Sequence, residues 1–134
     1  MGSAAGTPRS RSTELRAGPR TSAEARSFLS AAIETFDVDV DRDTVHLLIS
    51  ELASNAARHG KEPIDVSISV EEEGLRVSVF DRGVGFDPEE LGFDRDFSAD
   101  PSAEGGWGLR VVENLSSEWG VKRHDDGTEV WFRL

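Results

Sequence analysis

Two stretches of alternating apolar and polar residues, separated by a short turn, constrain the fold of this 134-residue chain more than any other feature. Side chains of a strand point alternately to its two faces, so each stretch predicts a strand with one buried face. Glu72-Glu73-Gly74 lies between them and predicts an antiparallel hairpin, which excludes an all-parallel sheet. The apolar positions are Ile64, Val66, Ile68 and Val70 in the first stretch and Leu75, Val77 and Val79 in the second.

Two helices are predicted ahead of this hairpin. Thr21 and Glu24 have the spacing of a capping box and precede apolar residues at helical intervals. A second helix is predicted to start at a cap formed by Asp41 or Asp43. Gly60 is expected to end that helix as a left-handed C-terminal stop.

The remaining apolar patterns complete a two-layer fold. An apolar series from Leu109 predicts a third helix, and residues 13–17 predict a short edge strand. Residues 119–123 and 129–134 flank an Asp-Asp-Gly turn and predict a second hairpin. The predicted fold class is therefore α+β, a sandwich with about three helices on one face of a mixed, mostly antiparallel sheet.

Length and composition limit the classes of function. The length fits one domain over residues 12–134, and residues 1–11 are predicted to be a disordered tail. Residues 87–104 are rich in Gly, Asp and Ser and predict a lid loop. A net charge of −11 argues against direct nucleic-acid binding, which requires a basic surface. Without cysteine, or an apolar run of roughly 20 residues, we expect a cytoplasmic protein that does not enter the membrane.

Glu51 and Asn55 are four residues apart in the second predicted helix, so their side chains share one face. An asparagine oxygen is a ligand that suits Mg²⁺, which makes Asn55 the candidate metal ligand. Glu51 is the candidate catalytic residue, because an ionised carboxylate can take a proton from an attacking hydroxyl or water. The alternative is that both are ordinary solvent-facing residues.

Asp81-Arg82-Gly83-Val84-Gly85 begins where the second strand ends. The Asp81 carboxylate can accept a hydrogen bond from the amino group of adenine, whereas guanine presents a carbonyl oxygen at that position. Gly83 and Gly85 let the backbone approach a base or sugar closely. The alternative is a turn in which these residues serve only the backbone.

Gly105-Gly106-Trp107-Gly108-Leu109 opens the third predicted helix. The free N–H groups and positive dipole at a helix N-terminus can bind phosphate, so this segment is the candidate triphosphate site. A flexible hinge or a simple glycine cap is the alternative. Arg58 and His59, at the end of the second helix, are further candidates for phosphate contact, although a histidine there also interacts favourably with the helix dipole.

Taken together and in order, these segments resemble the N, G1 and G2 boxes of the GHKL (Bergerat-fold) ATPases, and most closely the small bacterial anti-sigma-factor serine kinases. The resemblance covers nearly the whole chain. It implies that ATP and Mg²⁺ are the cofactors, that Asn55 binds the metal and that Glu51 is the base. It also implies that Thr128, in a terminal Gly-Thr pair, lies near the nucleotide.

The resemblance implies a regulatory kinase that phosphorylates a serine of an antagonist protein, sequesters a sigma factor and can form a homodimer. One alternative is a non-catalytic ATP-binding module whose nucleotide-ordered lid gates a partner surface. Another is the catalytic domain of a histidine kinase, which needs a helical dimerisation domain for which we expect no room in this chain.

Overall fold

The structure, a computed structural model, describes residues 9–72, 74–83 and 112–134. Within these ranges the helices are α1 (Thr21–Phe36) and α2 (Arg42–His59), and residues 112–115 form one further helical turn. The strands are β1 (Ser10–Leu15), β2 (Ile64–Glu71), β3 (Gly74–Asp81), β4 (Glu118–His124) and β5 (Gly127–Arg133). Neither α1 nor α2 has the length and apolar character that crossing a bilayer requires.

The five strands form one sheet in the order β1-β2-β3-β5-β4. Each neighbouring pair within it is antiparallel. The turn before Gly74 joins β2 to β3, and the turn at Asp125 and Asp126 joins β4 to β5. Both predicted hairpins and the two-layer α+β fold are therefore confirmed, with no parallel pair among the strands described.

The core lies between the two helices and the inner face of the sheet. Apolar residues at helical spacing in α1 and α2 meet the alternate positions of β2 and β3 that the sequence pattern predicts to be buried, together with Val130 and Phe132 of β5. Complete burial of one aliphatic or aromatic side chain contributes roughly 1.5–3 kcal/mol. The largest fully buried side chains are Phe132, Leu29, Ile33, Leu48, Ile49, Ile64, Ile68 and Leu75.

The two helices start differently from one another. Asp41 caps α2, and its Oδ1 accepts a hydrogen bond from the Asp43 backbone N–H at 3.1 Å, as predicted. The capping box predicted at Thr21 is wrong. Arg20 is the N-cap of α1, and the Thr21 hydroxyl lies 2.8 Å from the carbonyl oxygen of Arg16, because the preceding loop folds back over the helix start.

Strand β1 starts earlier than the sequence predicts. Ser10 and Arg11 pair with Ser69 and Ile68 of β2, so these two residues belong to the sheet and not to the predicted disordered tail. The strand also ends at Leu15, before the predicted end at residue 17. Pairing with β2 satisfies the backbone here, although polar side chains give no alternating signal. Residues 1–8 lie outside the described part of the chain.

The outer face of the sheet is built from charged residues that pair with one another around Trp131. The guanidinium carbons of Arg76 and Arg133 lie 4.9 and 5.4 Å from the centre of the Trp131 ring. Arg133 also donates hydrogen bonds to Glu71 and Glu118. The pKa of Arg133 is raised above its ordinary value, mainly because of the hydrogen bond with Glu71. This guanidinium therefore stays charged.

We expect Gly74→Ala to lower the free energy of unfolding by about 2 kcal/mol. Gly74 has a φ of +126°, and an added Cβ would overlap the carbonyl oxygen of Leu134. Urea denaturation followed by circular dichroism measures the change. Gly18→Ala is the matched control, because an added Cβ at Gly18 meets nothing within 4 Å. Equal loss of stability in both variants would contradict this interpretation.

Candidate nucleotide-binding site

The C-terminal end of α2 meets the C-terminal end of β3 at a residue without a side chain. A Cβ added to Gly60 would lie 2.5 and 2.7 Å from the two carboxylate oxygens of Asp81. Gly60 has φ −96° and ψ −165°, which is extended, so the predicted left-handed stop is wrong. The reason for glycine here is the close approach of the Asp81 carboxylate, not a special backbone conformation.

Asp81 is buried and held in one orientation. Its side chain closes a short turn, in which Oδ1 accepts a hydrogen bond from the Gly83 backbone N–H at 2.7 Å. The residue is 7 % exposed, and no residue in the described ranges donates to Oδ2. The next backbone N–H, that of Arg82, donates to the carbonyl oxygen of Lys61 at 2.9 Å. Within the described part of the chain, Oδ2 is therefore the oxygen left for the donor of a ligand.

Thr128 lies beside this carboxylate in the sheet. It is the register partner of Asp81 across the β3–β5 pair and is 1 % exposed. Its hydroxyl lies 3.5 Å from the carbonyl oxygen of Gly83. A Cβ on the preceding Gly127 would approach the Phe80 ring to 2.6 Å, so the chain packs tightly at this point as well. The structure thus brings the predicted residues Asp81, Gly83 and Thr128 together.

Asn55 and Arg58 form a second part of the site on α2. Asn55 is 7 % exposed, and the Arg58 guanidinium donates to its Oδ1 at 3.4 Å. Asn55 lies five residues before Gly60, about 8 Å along the helix axis from the contact with Asp81. The side chain of His59 lies outside the described part of the structure.

Glu51 lies further from Asp81 along the same helix. It is half-buried, nine residues before Gly60, which corresponds to about 14 Å along the axis. It faces a groove of about 270 Å³ between the start of α1 and the middle of α2. The other lining residues of this groove are Gly18, Pro19, Ser22, Ser54, Ala57 and Arg58. Arg58 connects the two regions, because it lines the Glu51 groove and also bonds Asn55.

Several predicted residues lie outside the described ranges. They are Gly85, Gly105, Gly106, Trp107, Gly108 and Leu109, together with the predicted lid at 87–104. The helical turn at 112–115 agrees with the end of the predicted third helix. The phosphate-binding role of the glycine-rich segment stays a prediction.

The donors that are described suit a nucleotide with a divalent cation. Asn55 offers a buried amide oxygen, and Asp81 offers a fixed carboxylate oxygen without a donor from the described residues. In that same part of the chain, no three histidine, aspartate or glutamate side chains are grouped in a way that could hold a metal ion.

A family model described as histidine kinase-like ATPase domain matches residues 15–134. The chain belongs to this family. This confirms the resemblance to the GHKL ATPases, and the Bergerat fold agrees with the two layers described above.

Two curated relatives are sensor kinases that are much longer than this chain. Sensor histidine kinase MtrB of Mycolicibacterium paratuberculosis is 31% identical over 99 residues, which cover 69% of this chain and 17% of MtrB. Sensor protein CseC of Streptomyces avermitilis is 34% identical over 113 residues, covering 71% of this chain and 22% of CseC. The histidine kinase-like ATPase domain thus spans about a fifth of the length of these relatives.

Among solved structures, the RsbU and RsbW domains of Rv1364c from Mycobacterium tuberculosis superpose with a TM-score of 0.65. The sequence identity is 25%, and the match covers 94% of this chain and 32% of that chain. The similarity extends over nearly the whole ATPase domain, which confirms the predicted fold.

Sequence reasoning missed Gly60 as a residue of the site. The available signal was a glycine at the end of the helix that carries Glu51 and Asn55. A glycine at that position is explained equally well by a helix stop. Only the packing of α2 against β3 shows that its missing side chain makes room for Asp81.

We expect Gly60→Ala to weaken nucleotide binding by at least about tenfold, because the added methyl group displaces the Asp81 carboxylate from its bond with Gly83. Titration with a fluorescent ATP analogue measures the affinity. Gly120→Ala, whose added methyl group meets the Trp131 ring and not Asp81, is the control and should bind like the wild type. Unchanged affinity in Gly60→Ala, with the fold intact by circular dichroism, would show that Asp81 is not part of the nucleotide site.

Proposed function

We propose that this chain binds ATP with Mg²⁺ and transfers the γ-phosphoryl group to a serine of an antagonist protein, and that it binds a sigma factor in another state. The observation that carries the proposal is the order of groups along α2. Asp81 contacts Gly60 at one end, Asn55 follows, and Glu51 lies about 14 Å from Gly60. This order matches the adenine base and the phosphates of one extended nucleotide, followed by the serine hydroxyl of the acceptor protein.

Asp81 is proposed to select adenine. The oxygen that accepts no hydrogen bond from the described residues is available to the exocyclic amino group of the base. Guanine would place a carbonyl oxygen against the same carboxylate, and two acceptors facing each other in a buried site are unfavourable. The bond from Gly83 keeps the carboxylate from rotating away.

Asn55 and Arg58 are proposed to face the phosphates. The amide oxygen of Asn55 is a neutral, hard donor that suits Mg²⁺, and the Arg58 guanidinium adds positive charge beside it. When bound, Mg²⁺ neutralises part of the triphosphate charge. This local positive charge matters because the chain carries a net charge of −11.

Glu51 is proposed to act as the general base. Its carboxylate accepts the proton of the serine hydroxyl as the serine oxygen bonds to the γ-phosphorus. The bond from that phosphorus to the bridging oxygen breaks, and ADP leaves. The groove that Glu51 lines with the start of α1 is open to the surface side of α2, where a protein acceptor can approach.

The finer assignment, to the anti-sigma-factor serine kinases, is supported by the three boxes and by the structural similarity to the RsbU and RsbW domains of Rv1364c. The same resemblance leads us to propose a cytoplasmic protein that forms homodimers. A second candidate acceptor is a histidine, which the names of MtrB as a sensor histidine kinase and of CseC as a sensor protein favour. Phosphoserine survives acid and phosphohistidine does not, so the acceptor type can be determined directly.

We expect Asp81→Asn to weaken ATP binding by about tenfold or more and to reduce the preference for ATP over GTP. The amide keeps an oxygen for Gly83 but can turn an N–H donor toward the adenine amino group. Competition titrations with both nucleotides give the two affinities. Asp126→Asn, on the exposed turn between β4 and β5, is the matched control. A preference that is identical in Asp81→Asn and the wild type would remove Asp81 from base recognition.

We expect Glu51→Gln to bind ATP within about twofold of the wild type and to transfer phosphate at least about 100-fold more slowly. Radiolabel from the γ-phosphate of ATP, followed on candidate antagonist proteins and tested for acid stability, measures transfer. Glu113→Gln, at an exposed position within the helical turn 112–115, is the control.

Wild-type rates in Glu51→Gln would rule out Glu51 as the base. If the wild-type chain binds ATP and labels no acceptor, the non-catalytic gating module becomes the better description. Acid-labile label on a histidine would replace the serine acceptor with the second candidate.

A further inference from the structure

An apolar cleft lies at the N-terminal end of α2, opposite the end that contacts Asp81. Its volume is about 460 Å³. The loop between α1 and α2, the β2–β3 hairpin and residues near the end of the described chain form its walls. The lining residues are Val38, Asp39, Val40, Asp41, Thr44, Val70, Gly74, Leu75, Leu115 and Leu134. Because α2 has 18 residues, about 27 Å separate this cleft from Gly60.

The floor of the cleft is apolar and reaches the surface. Six of its ten lining residues are valine or leucine. Leu115 is 44% exposed, and within the described ranges only Leu47 is another large hydrophobic residue in the exposed class. An isolated exposed leucine such as Leu47 is ordinary, whereas an exposed leucine that continues an apolar cavity is typical of a binding surface.

The rim of the cleft is acidic. Four exposed carboxylates lie in the lining or directly beside it in the sequence, at Asp37, Asp39, Asp41 and Asp43, and Glu72 is exposed in the β2–β3 turn. Arg42 is engaged with Glu34 at 4.0 Å, and Arg9 donates to the carbonyl oxygen of Phe36. The Asp41 carboxylate caps α2, so Asp39 is the lining carboxylate that has no hydrogen-bond partner among the described residues.

This combination of groups determines the chemistry of an occupant. The carboxylates repel nucleic acid, anionic lipid and free nucleotide. A second copy of this chain, also at −11, has its self-association favoured on other surfaces over this acidic rim. A positively charged segment is attracted, and the floor favours one that presents an apolar side chain.

We propose that this cleft docks a basic segment of a protein partner, which inserts a leucine-like side chain against Leu115 and Leu134. The flanking lysines or arginines of that segment pair with Asp39 and the neighbouring carboxylates. The site is distinct from the nucleotide site and does not depend on phosphoryl transfer. A negative result for docking at this cleft would therefore leave the proposed function unaffected.

The direct test uses a synthetic amphipathic helix of leucine and lysine as the probe, with fluorescence anisotropy and the full chain. We expect Leu115→Ser to weaken binding by about tenfold, since one leucine side chain loses its apolar contact. Leu47→Ser removes a leucine of equal exposure outside the cleft and should bind like the wild type. Equal affinity in all three proteins would overturn the proposal.

The charge requirement is tested with the same peptide after every lysine is replaced by glutamate, which should abolish binding. We expect Asp39→Asn to weaken binding of the lysine peptide by about threefold and to reduce its salt dependence. Asp125→Asn makes the same charge change on the distant β4–β5 turn and should have no effect. Equal binding of both peptides, or equal losses in both variants, would overturn the proposal.

Two further measurements separate docking from unfolding and from membrane binding. ATP affinity and the circular dichroism spectrum of Leu115→Ser should match the wild type. Amide chemical-shift changes on peptide addition to the wild-type chain should be confined to residues 38–44, 70–75, 115 and 134. Changes centred on Gly60 and Asp81, or binding to anionic vesicles that Leu115→Ser weakens, would contradict a protein docking site here.

Discussion

The architecture depends on one close approach, between the backbone at Gly60 and the buried carboxylate of Asp81. A side chain at Gly60 would push the end of α2 away from the end of β3. The bond from the Arg82 N–H to the carbonyl oxygen of Lys61 holds the same two chain segments together. Because α2 also carries Asn55, the position of the proposed metal ligand relative to the proposed base-binding carboxylate follows from this one contact.

Local patterns predicted most of the fold. The alternation in β2 and β3 needs only a buried face and a turn, and both are visible within 20 residues. The cap at Asp41 depends on a bond that spans two residues. Asp81 was predicted as a site residue for the same reason, since it stands where the alternation of β3 stops. Such local patterns predict structure correctly because the interactions involved need no partner from a distant part of the chain.

Features that depend on distant partners were not predictable. The Thr21 hydroxyl bonds the loop that precedes it, although its spacing from Glu24 fits a capping box equally well. Strand β1 starts at Ser10 because β2 offers backbone partners, which polar side chains do not reveal. The proximity of Thr128 to Asp81 follows from the pairing of β3 with β5, strands that are far apart in the sequence.

The strand order has a consequence for the behaviour of the chain in concentrated solution. β1 and β4 are the outermost strands of the described sheet, so each presents backbone groups that another chain's strand could bind. Arg11 and Glu14 lie along one border, and Lys122 and Arg123 lie along the other. Bringing such charged borders together in water is unfavourable, which protects the domain against strand exchange and fibrous aggregation.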